Sequence, residues 1–145
     1  MFCKRLASAA ACASGAVLLQ SCSGNPAGSV PGSPLPTVNG TLSGAAVTVP
    51  INPGSPLAAT GGMALVTSNA GDFLVTRTSA TTFVALTAQC THQACVVSDA
   101  TSTTYVCPCH GSEFDPSTGR VVVGPAVAPL RQFSAQLSGN VLTIA

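Results

Sequence analysis

Side chains that could bind a metal are concentrated in one short part of the chain. Four of the seven cysteines and both histidines lie between Cys90 and His110. They form two groups, which we call the first box (residues 90–95, CTHQAC) and the second box (residues 107–112, CPCHGS). Thiolates and imidazoles are ligands that select zinc, copper or iron–sulfur centres. The pattern therefore predicts that two loops contribute Cys and His ligands to one metal site.

The residue types alone leave several kinds of site open. Zinc fingers usually pair Cys with Cys and His with His, whereas each box offers one Cys and one His at short range and has a second Cys left over. Leftover cysteines in an exported domain favour a disulfide. Two plain disulfides would use all four cysteines, but they would leave both histidines unexplained.

The two boxes resemble those of the Rieske iron–sulfur family, whose pattern is Cys-x-His followed by Cys-x-x-His. The pattern falls on Cys90 and His92, and then on Cys107 and His110. The resemblance implies a [2Fe-2S] cluster in which the cysteines hold an inner iron and the histidines hold an outer iron near the surface. Replacing two thiolates by neutral imidazoles raises the reduction potential of such a cluster.

Residues around the ligands extend the resemblance. Cys95 and Cys109 match the extra cysteines of the high-potential, cytochrome bc-type branch, where they form a disulfide between the loops. Ser112 matches the serine whose hydroxyl bonds a bridging sulfide. Phe114 stands where many respiratory members have a tyrosine that bonds a cysteine sulfur, so we expect a lower potential than theirs.

A third segment resembles the loop that covers the cluster in this family. It spans residues 124–129 (GPAVAP) and includes Gly124, Pro125 and Pro129; we call it the covering loop. Gln93 replaces the Leu that commonly follows the first His ligand in quinol-oxidising members. Because that Leu helps to form an apolar docking surface, the polar Gln93 argues against quinol docking without excluding it.

Short apolar or β-branched runs, separated by turn residues, are expected to position the boxes. No window sustains a helical period, and the segments 69–72 and 138–140 are typical of hairpin turns. We expect an all-β fold, an antiparallel sandwich or barrel of the Rieske type with a small cluster-binding subdomain of loops. The predicted strands are residues 46–49, 63–66, 73–76, 82–86, 96–97, 103–106, 121–123, 133–137 and 141–144.

The N-terminal region is typical of an exported lipoprotein. Residues 1–21 carry Lys4 and Arg5 before an uncharged stretch that is too short for a membrane span, as in a signal peptide. Residues 19–22 (LQSC) resemble a lipobox, which makes Cys22 the predicted lipidation site. Residues 22–43 are predicted to form the lipidated cysteine and a flexible Ser/Gly/Pro-rich linker, and residues 44–145 the Rieske domain.

Charge is scarce in this chain. Five basic and four acidic residues give a net charge of +1, and loss of two basic residues with the signal peptide would leave −1. Three scattered arginines cannot supply the basic stripe that nucleic-acid binding needs. We expect six charged side chains of the domain to lie on solvated faces. These are Arg77, Asp99, Glu113, Asp115, Arg120 and Arg131.

The expected function is one-electron transfer in a redox chain of the cell envelope, at the outer face of the cytoplasmic membrane or in the periplasm. The alternative is the Rieske subunit of a quinol-oxidising (cytochrome bc-type) or arsenite-oxidase-like complex. The partner would be a cytochrome, an oxidoreductase subunit or quinol, with the lipid anchor holding the protein at the membrane. Because both histidines are committed as ligands, a mononuclear-iron oxygenase and a Ser-His-Asp hydrolase are excluded.

Overall fold

The structure, a computed structural model, describes residues 32–145. In these residues the chain forms fourteen strands and no helix, which confirms the predicted all-β class. The strands are β1 (Ser33–Pro34), β2 (Thr37–Asn39), β3 (Thr41–Ser43), β4 (Ala46–Pro50), β5 (Met63–Thr67), β6 (Phe73–Arg77), β7 (Phe83–Thr87), β8 (Asp99–Ala100), β9 (Tyr105–Val106), β10 (Glu113–Phe114), β11 (Val121–Val123), β12 (Gln132–Phe133), β13 (Ala135–Ser138) and β14 (Val141–Ile144).

The strands form three sheets. The first sheet has the order β1-β8-β9-β10-β11, the central sheet β12-β7-β6-β5-β2, and the third sheet β13-β14-β4-β3. Neighbouring strands are antiparallel except for β2, which runs parallel to β5. The second box connects β9 to β10, and the first box follows β7, so both boxes are attached to sheet strands at each side.

The central sheet separates two hydrophobic cores. Leu74 of β6 belongs to the core that also contains Cys90 and Cys107. Its neighbours along the strand, Phe73 and Val75, belong to the core shared with the third sheet. Successive side chains of a strand point to opposite faces of its sheet, so each face of β6 is buried against a different core. This two-sided burial explains why β5, β6 and β7 are continuous apolar runs and do not alternate with polar residues.

Glycines with positive φ close the two predicted hairpins. Gly71, with φ of 120°, lies in the turn between β5 and β6, and Gly139, with φ of 60°, lies in the turn between β13 and β14. Both strand pairs are antiparallel, as predicted. Glycine adopts this backbone region without the steric penalty that a Cβ would bring.

The predicted linker is wrong for residues 33–43, which form strands. In this stretch β1 pairs with β8, β2 pairs with β5, and β3 pairs with β4. Leu35 is 8% exposed in the core that contains the box cysteines, and its N–H donates to the carbonyl of Ser98 at 2.8 Å. A Ser/Gly/Pro-rich segment can be ordered when it adds to existing sheets and buries one apolar anchor, because the sheets supply partners for its backbone groups.

The expectation of a solvated face is wrong for Glu113. This residue is 7% exposed, and its Oε2 accepts a hydrogen bond from Thr104 Oγ1 at 2.9 Å. The Oγ1 atoms of Thr104 and Thr101 are also 2.8 Å apart. The Thr104 hydroxyl therefore replaces part of the water that a carboxylate loses on burial.

The signal peptide and Cys22 lie outside the described residues. Within residues 32–145 no helix is long and apolar enough to cross a membrane.

Candidate metal centre

The two boxes are built on the same backbone turn. In the first box the N–H of Cys90 donates to the carbonyl of Cys95 at 2.8 Å, and the N–H of Ala94 donates back to the carbonyl of Cys90 at 2.9 Å. The second box repeats both bonds at the same offsets, with Cys107 to Ser112 at 2.8 Å and Gly111 to Cys107 at 2.9 Å. Each turn therefore begins with a cysteine held by backbone hydrogen bonds to the residues four and five positions later.

The fifth residue of each turn has a left-handed backbone. It is Ala94 in the first box, with φ of 57°, and Gly111 in the second, with φ of 74°. Ala94 is the only non-glycine residue with positive φ in the described part of the chain. Because a Cβ makes this region costly, the first box carries a local strain that the second avoids.

The leading cysteines of the two boxes are buried thiols. Cys90 is 3% exposed and Cys107 is 1% exposed, and neither forms a disulfide. Burial raises the pKa of the Cys107 thiol, and the neighbouring Cys90 raises it further, while the backbone N–H groups of Cys109 and His110 lower it. Those N–H groups are therefore placed to stabilise a negatively charged sulfur on Cys107.

The two imidazoles lie together at the surface. The ring centroids of His92 and His110 are 4.8 Å apart, with an angle of 83° between the ring planes. Both residues are exposed, in contrast to the buried thiols. The turns thus place two sulfur donors inside and two nitrogen donors outside.

A disulfide joins the two boxes. Cys95 and Cys109 are bonded, with their Cα atoms 6.5 Å apart. The sulfurs of Cys95, Cys107 and Cys109 all lie within 4.8 Å of one another, but two of them are used in the disulfide. Only Cys107 of this trio keeps a thiol that can bind a metal, so we exclude a three-thiolate site. The structure also excludes the reading in which all four cysteines form plain disulfides.

The covering loop is bonded to both boxes. The N–H of Ala126 donates to Oγ of Ser112 at 3.0 Å, and Oγ1 of Thr91 donates to the carbonyl of Ala128 at 2.6 Å. Ser112 is fully buried, and the bond from Ala126 uses a lone pair of its oxygen and not its hydroxyl hydrogen. That hydrogen can still be donated to a sulfur. The loop, which includes Gly124, Pro125 and Pro129, therefore lies against the boxes.

Two residues near the boxes were not identified by the sequence. Thr91 lies between Cys90 and His92, and its anchoring bond to the covering loop depends on a partner 37 positions away. Tyr105 is fully buried and its hydroxyl forms a hydrogen bond with Thr76 of the central sheet. Burial raises the pKa of Tyr105 far above its usual value, so this hydroxyl stays neutral. The only indication of this role in the sequence is that Tyr105 is the single tyrosine of the chain and lies in a predicted strand.

Phe114 lies in the same hydrophobic core as the two thiols and Tyr105. It is fully buried on β10, immediately after the second box. Its ring has no hydrogen-bond donor, so it can exclude water from this core without forming a bond to sulfur. The lower potential that the sequence predicts stays a prediction.

The donor set fits a [2Fe-2S] cluster with mixed ligands. Two buried thiols can supply two negative charges to one iron, and two exposed neutral imidazoles can bind the other. Backbone N–H groups at Cys107 supply hydrogen bonds of the kind that tune such a centre, and the bond from Ala126 leaves the Ser112 hydroxyl hydrogen available for another. Zinc could use the same four donors, so the donor types alone do not decide between the two.

The comparisons with known proteins decide between them. The profile of the Rieske [2Fe-2S] domain matches residues 48–134. The chain is 40% identical over 62 residues to the cytochrome b6-f complex iron-sulfur subunit of Chlorobaculum thiosulfatiphilum, a match that covers 41% of this chain and 33% of that protein. The subunit of the same name from Cyanothece sp. is 44% identical over 59 residues, covering 40% of this chain and 32% of that protein.

A solved structure agrees with these relatives. The plasma membrane Rieske protein PetC3 from Synechocystis PCC 6803 is 31% identical, with a TM-score of 0.51 and coverage of 58% of this chain and 86% of that chain. The present chain matches about a third of the length of the curated relatives named above. The family profile, however, matches more than half of this chain, and the implied cofactor is a Rieske-type [2Fe-2S] cluster. The chain therefore belongs to the Rieske [2Fe-2S] family.

Proposed function

We propose that this protein transfers single electrons through a Rieske cluster that its two boxes hold. Cys90 and Cys107 are the ligands of the inner iron, and His92 and His110 are the ligands of the outer iron. The observation that carries the proposal is the pair of equivalent turns, which places two buried thiols behind two adjacent, exposed imidazoles. When bound, the cluster supplies a centre that accepts and releases one electron.

Residues around the cluster determine where electrons enter and leave and how easily the cluster is reduced. The thiols lie in a hydrophobic core, so water does not reach the sulfur side of the site. The exposed histidines give the short route to a partner, and electrons are expected to enter and leave there. Hydrogen bonds from Ser112 and from the N–H groups at Cys107 stabilise negative charge on sulfur, which favours the reduced state.

Electron paramagnetic resonance of the reduced protein, combined with a redox titration, tests the ligand set. We expect a Rieske-type spectrum and two irons with two labile sulfides per chain. His92→Ala and His110→Ala should each abolish the spectrum, whereas Gln93→Ala, at an exposed position beside His92, should retain it. A cluster that survives loss of either histidine would contradict the proposed ligands.

A second candidate is a Rieske subunit of a cytochrome bc-type complex. The matches to cytochrome b6-f iron-sulfur subunits favour it. Affinity purification from membranes solubilised in mild detergent distinguishes the two functions: co-purification with a cytochrome favours the subunit, and an isolated monomer that exchanges electrons freely favours the carrier. Gln93 is exposed beside His92, and its polar side chain makes the local surface less suited to quinol.

The proposed location is the outer face of the cytoplasmic membrane or the periplasm, with a lipid on Cys22. The leader-like residues 1–21 and the lipobox-like residues 19–22 support it. A lipid-anchored Rieske domain would meet membrane-bound redox partners without a spanning helix of its own.

A further inference from the structure

A hollow of about 580 Å³ lies beside the first box. Cys90, His92 and Gln93 line it on the box side, and Arg131 and Phe133 line it on the side of β12. Among its lining residues, Arg131 is the only Asp, Glu, Lys or Arg. The hollow therefore combines one fixed positive charge with one of the proposed ligands of the outer iron.

Aromatic packing holds the guanidinium of Arg131 in place. Its Cζ lies 4.7 Å from the ring centroid of Phe133. The Phe133 ring contacts Phe73 edge-to-face, with centroids 5.0 Å apart, and Phe73 is only 7% exposed. A guanidinium stacked on an anchored ring loses less conformational freedom when it binds a partner.

Arg131 is exposed, and within residues 32–145 no salt bridge engages it. Its N–H groups are therefore available to an external anion. The Arg131 carbonyl accepts the N–H of Thr87 at 2.8 Å, which fixes the backbone without using the side chain.

The other arginines of the described residues are placed differently. Arg77 donates to the carbonyls of Leu57 and Ala58 at 3.1 and 2.6 Å, so its side chain has a structural role. Arg120 is exposed, but the hollow that it lines contains no residue of either box. Arg131 alone combines an exposed guanidinium with a position beside a box histidine.

We propose that Arg131 is a docking residue for a redox partner that presents a carboxylate-rich surface, so that the electron passes between His92 and that partner. This inference rests on the proposed electron-transfer function and names the chemistry of the partner. One electron moves from the reduced cluster to the oxidised partner, and no covalent bond is made or broken. A carboxylate can form two parallel hydrogen bonds with a guanidinium, which fixes orientation as well as proximity. Arg131 also lines a neighbouring hollow that contains Asp72, but no salt bridge joins the two residues within the described part of the chain, so the guanidinium can orient the encounter.

Stopped-flow oxidation of the reduced holoprotein tests the docking role. The probes are hexacyanoferrate(III), an anionic one-electron oxidant, and tris(phenanthroline)cobalt(III), a cationic one. In low salt, Arg131→Gln should slow the reaction with the anion by roughly threefold or more and accelerate the reaction with the cation. Added salt should reduce both differences, because it screens the charge. Arg131→Lys keeps the charge and should retain most of the wild-type rate.

Arg120→Gln is the matched control, because it removes the same charge from an exposed position outside the hollow. It should change both rates clearly less than Arg131→Gln does. The midpoint potential of each variant is measured so that a change in driving force is not mistaken for a change in docking. Equal effects of the two variants, or no effect of Arg131→Gln, would overturn the docking role while leaving electron transfer intact. Failure of the proposed function would be seen separately, as the absence of a Rieske signal in the wild-type protein.

Discussion

At the scale of single residues, Phe114 is where one added oxygen atom should change the potential of the centre. Phe114→Tyr introduces a hydroxyl into the core that contains Cys90 and Cys107. A hydrogen bond to sulfur that strengthens on reduction by about 1 kcal/mol corresponds to a rise of roughly 40 mV for one electron. Voltammetry of the holoprotein measures this shift.

A matched variant separates the hydrogen bond from the general effect of burying a hydroxyl. Phe83→Tyr makes the same change at a residue that is 5% exposed in the other hydrophobic core. It should leave the midpoint unchanged. An unchanged or lower midpoint in Phe114→Tyr would show that the hydroxyl does not reach a cluster sulfur.

The left-handed backbone of Ala94 leads to a prediction about stability. Ala94→Gly removes the Cβ that makes φ of 57° costly, and we expect stabilisation by about 0.5–1 kcal/mol. Ala100 lies on strand β8, where φ is not positive. Ala100→Gly should lower the stability of the fold by a similar amount, because glycine gives the unfolded chain more conformational freedom. Urea unfolding followed by circular dichroism compares the two variants. If Ala94→Gly lowers the free energy of unfolding, the contacts of the Ala94 methyl group stabilise the fold by more than its left-handed backbone destabilises it.

The spacing of the boxes indicated four candidate donor residues, which the structure arranges as two buried thiols and two exposed imidazoles, but it could not predict every residue that supports them. A Cys-x-His and a Cys-x-x-His pattern are local, so they can be recognised in the printed sequence. The bond between Tyr105 and Thr76 joins residues 29 positions apart on different sheets. The burial of Glu113 depends likewise on Thr104, which lies just before the neighbouring strand β9. Such roles arise from tertiary pairing, which no local pattern contains.

At the scale of elements, the disulfide should hold the two boxes in register. Cys95 and Cys109 lie 14 positions apart, and closing a loop of this size stabilises a fold by about 3 kcal/mol in the chain-entropy estimate. We expect the double variant Cys95→Ser with Cys109→Ser to bind the cluster but to lose it faster on warming. The decay of the visible absorption of the cluster measures this rate. Wild-type protein carried through the same heating is the reference, and equal decay rates would make the bridge unimportant for retention.

The covering loop gives a second prediction about cluster retention. Thr91→Val keeps the shape of the side chain but removes its hydrogen bond to the carbonyl of Ala128. The loop then opens more often, so the cluster should be lost several times faster to an iron chelator, as roughly 1 kcal/mol of lost stabilisation implies. Thr103→Val, at an exposed position between β8 and β9, should react at the wild-type rate. Equal chelation rates for the two variants would show that this bond does not hold the loop.

Hairpins could be predicted from the sequence because their turn residues are adjacent in the chain. The strands of residues 33–43 could not, because two of their three pairings depend on distant partners. Strand β2 runs parallel to β5, and β1 is paired with β8, more than sixty positions later. The Ser, Gly and Pro content of this stretch correctly predicts that it contributes few side chains to the hydrophobic cores. Its few apolar side chains are ordered because its strands pair with strands at the edges of the three sheets.

At the scale of the whole molecule, the segment before β1 fixes how far a membrane anchor would let the domain travel. Residues 23–32 separate the proposed lipidation site Cys22 from strand β1, and these ten residues can span at most about 35 Å. If residues 33–43 were flexible, as the sequence suggested, the reach would be about twice as long. The domain is therefore expected to meet partners close to the membrane surface.

The anchor itself can be tested in cells that produce the full chain. Cys22→Ser removes the sulfur that a lipid would modify, and we expect the protein to move from the membrane fraction to the soluble envelope fraction. Because Cys22 is none of the proposed cluster ligands, the Rieske spectrum of the released protein should be unchanged. Cys12→Ser makes the same change within the predicted signal peptide and should leave the protein in the membrane fraction. Retention of Cys22→Ser at the membrane, with no mass added to Cys22 in the wild-type protein, would contradict the lipid anchor and favour attachment through a partner protein.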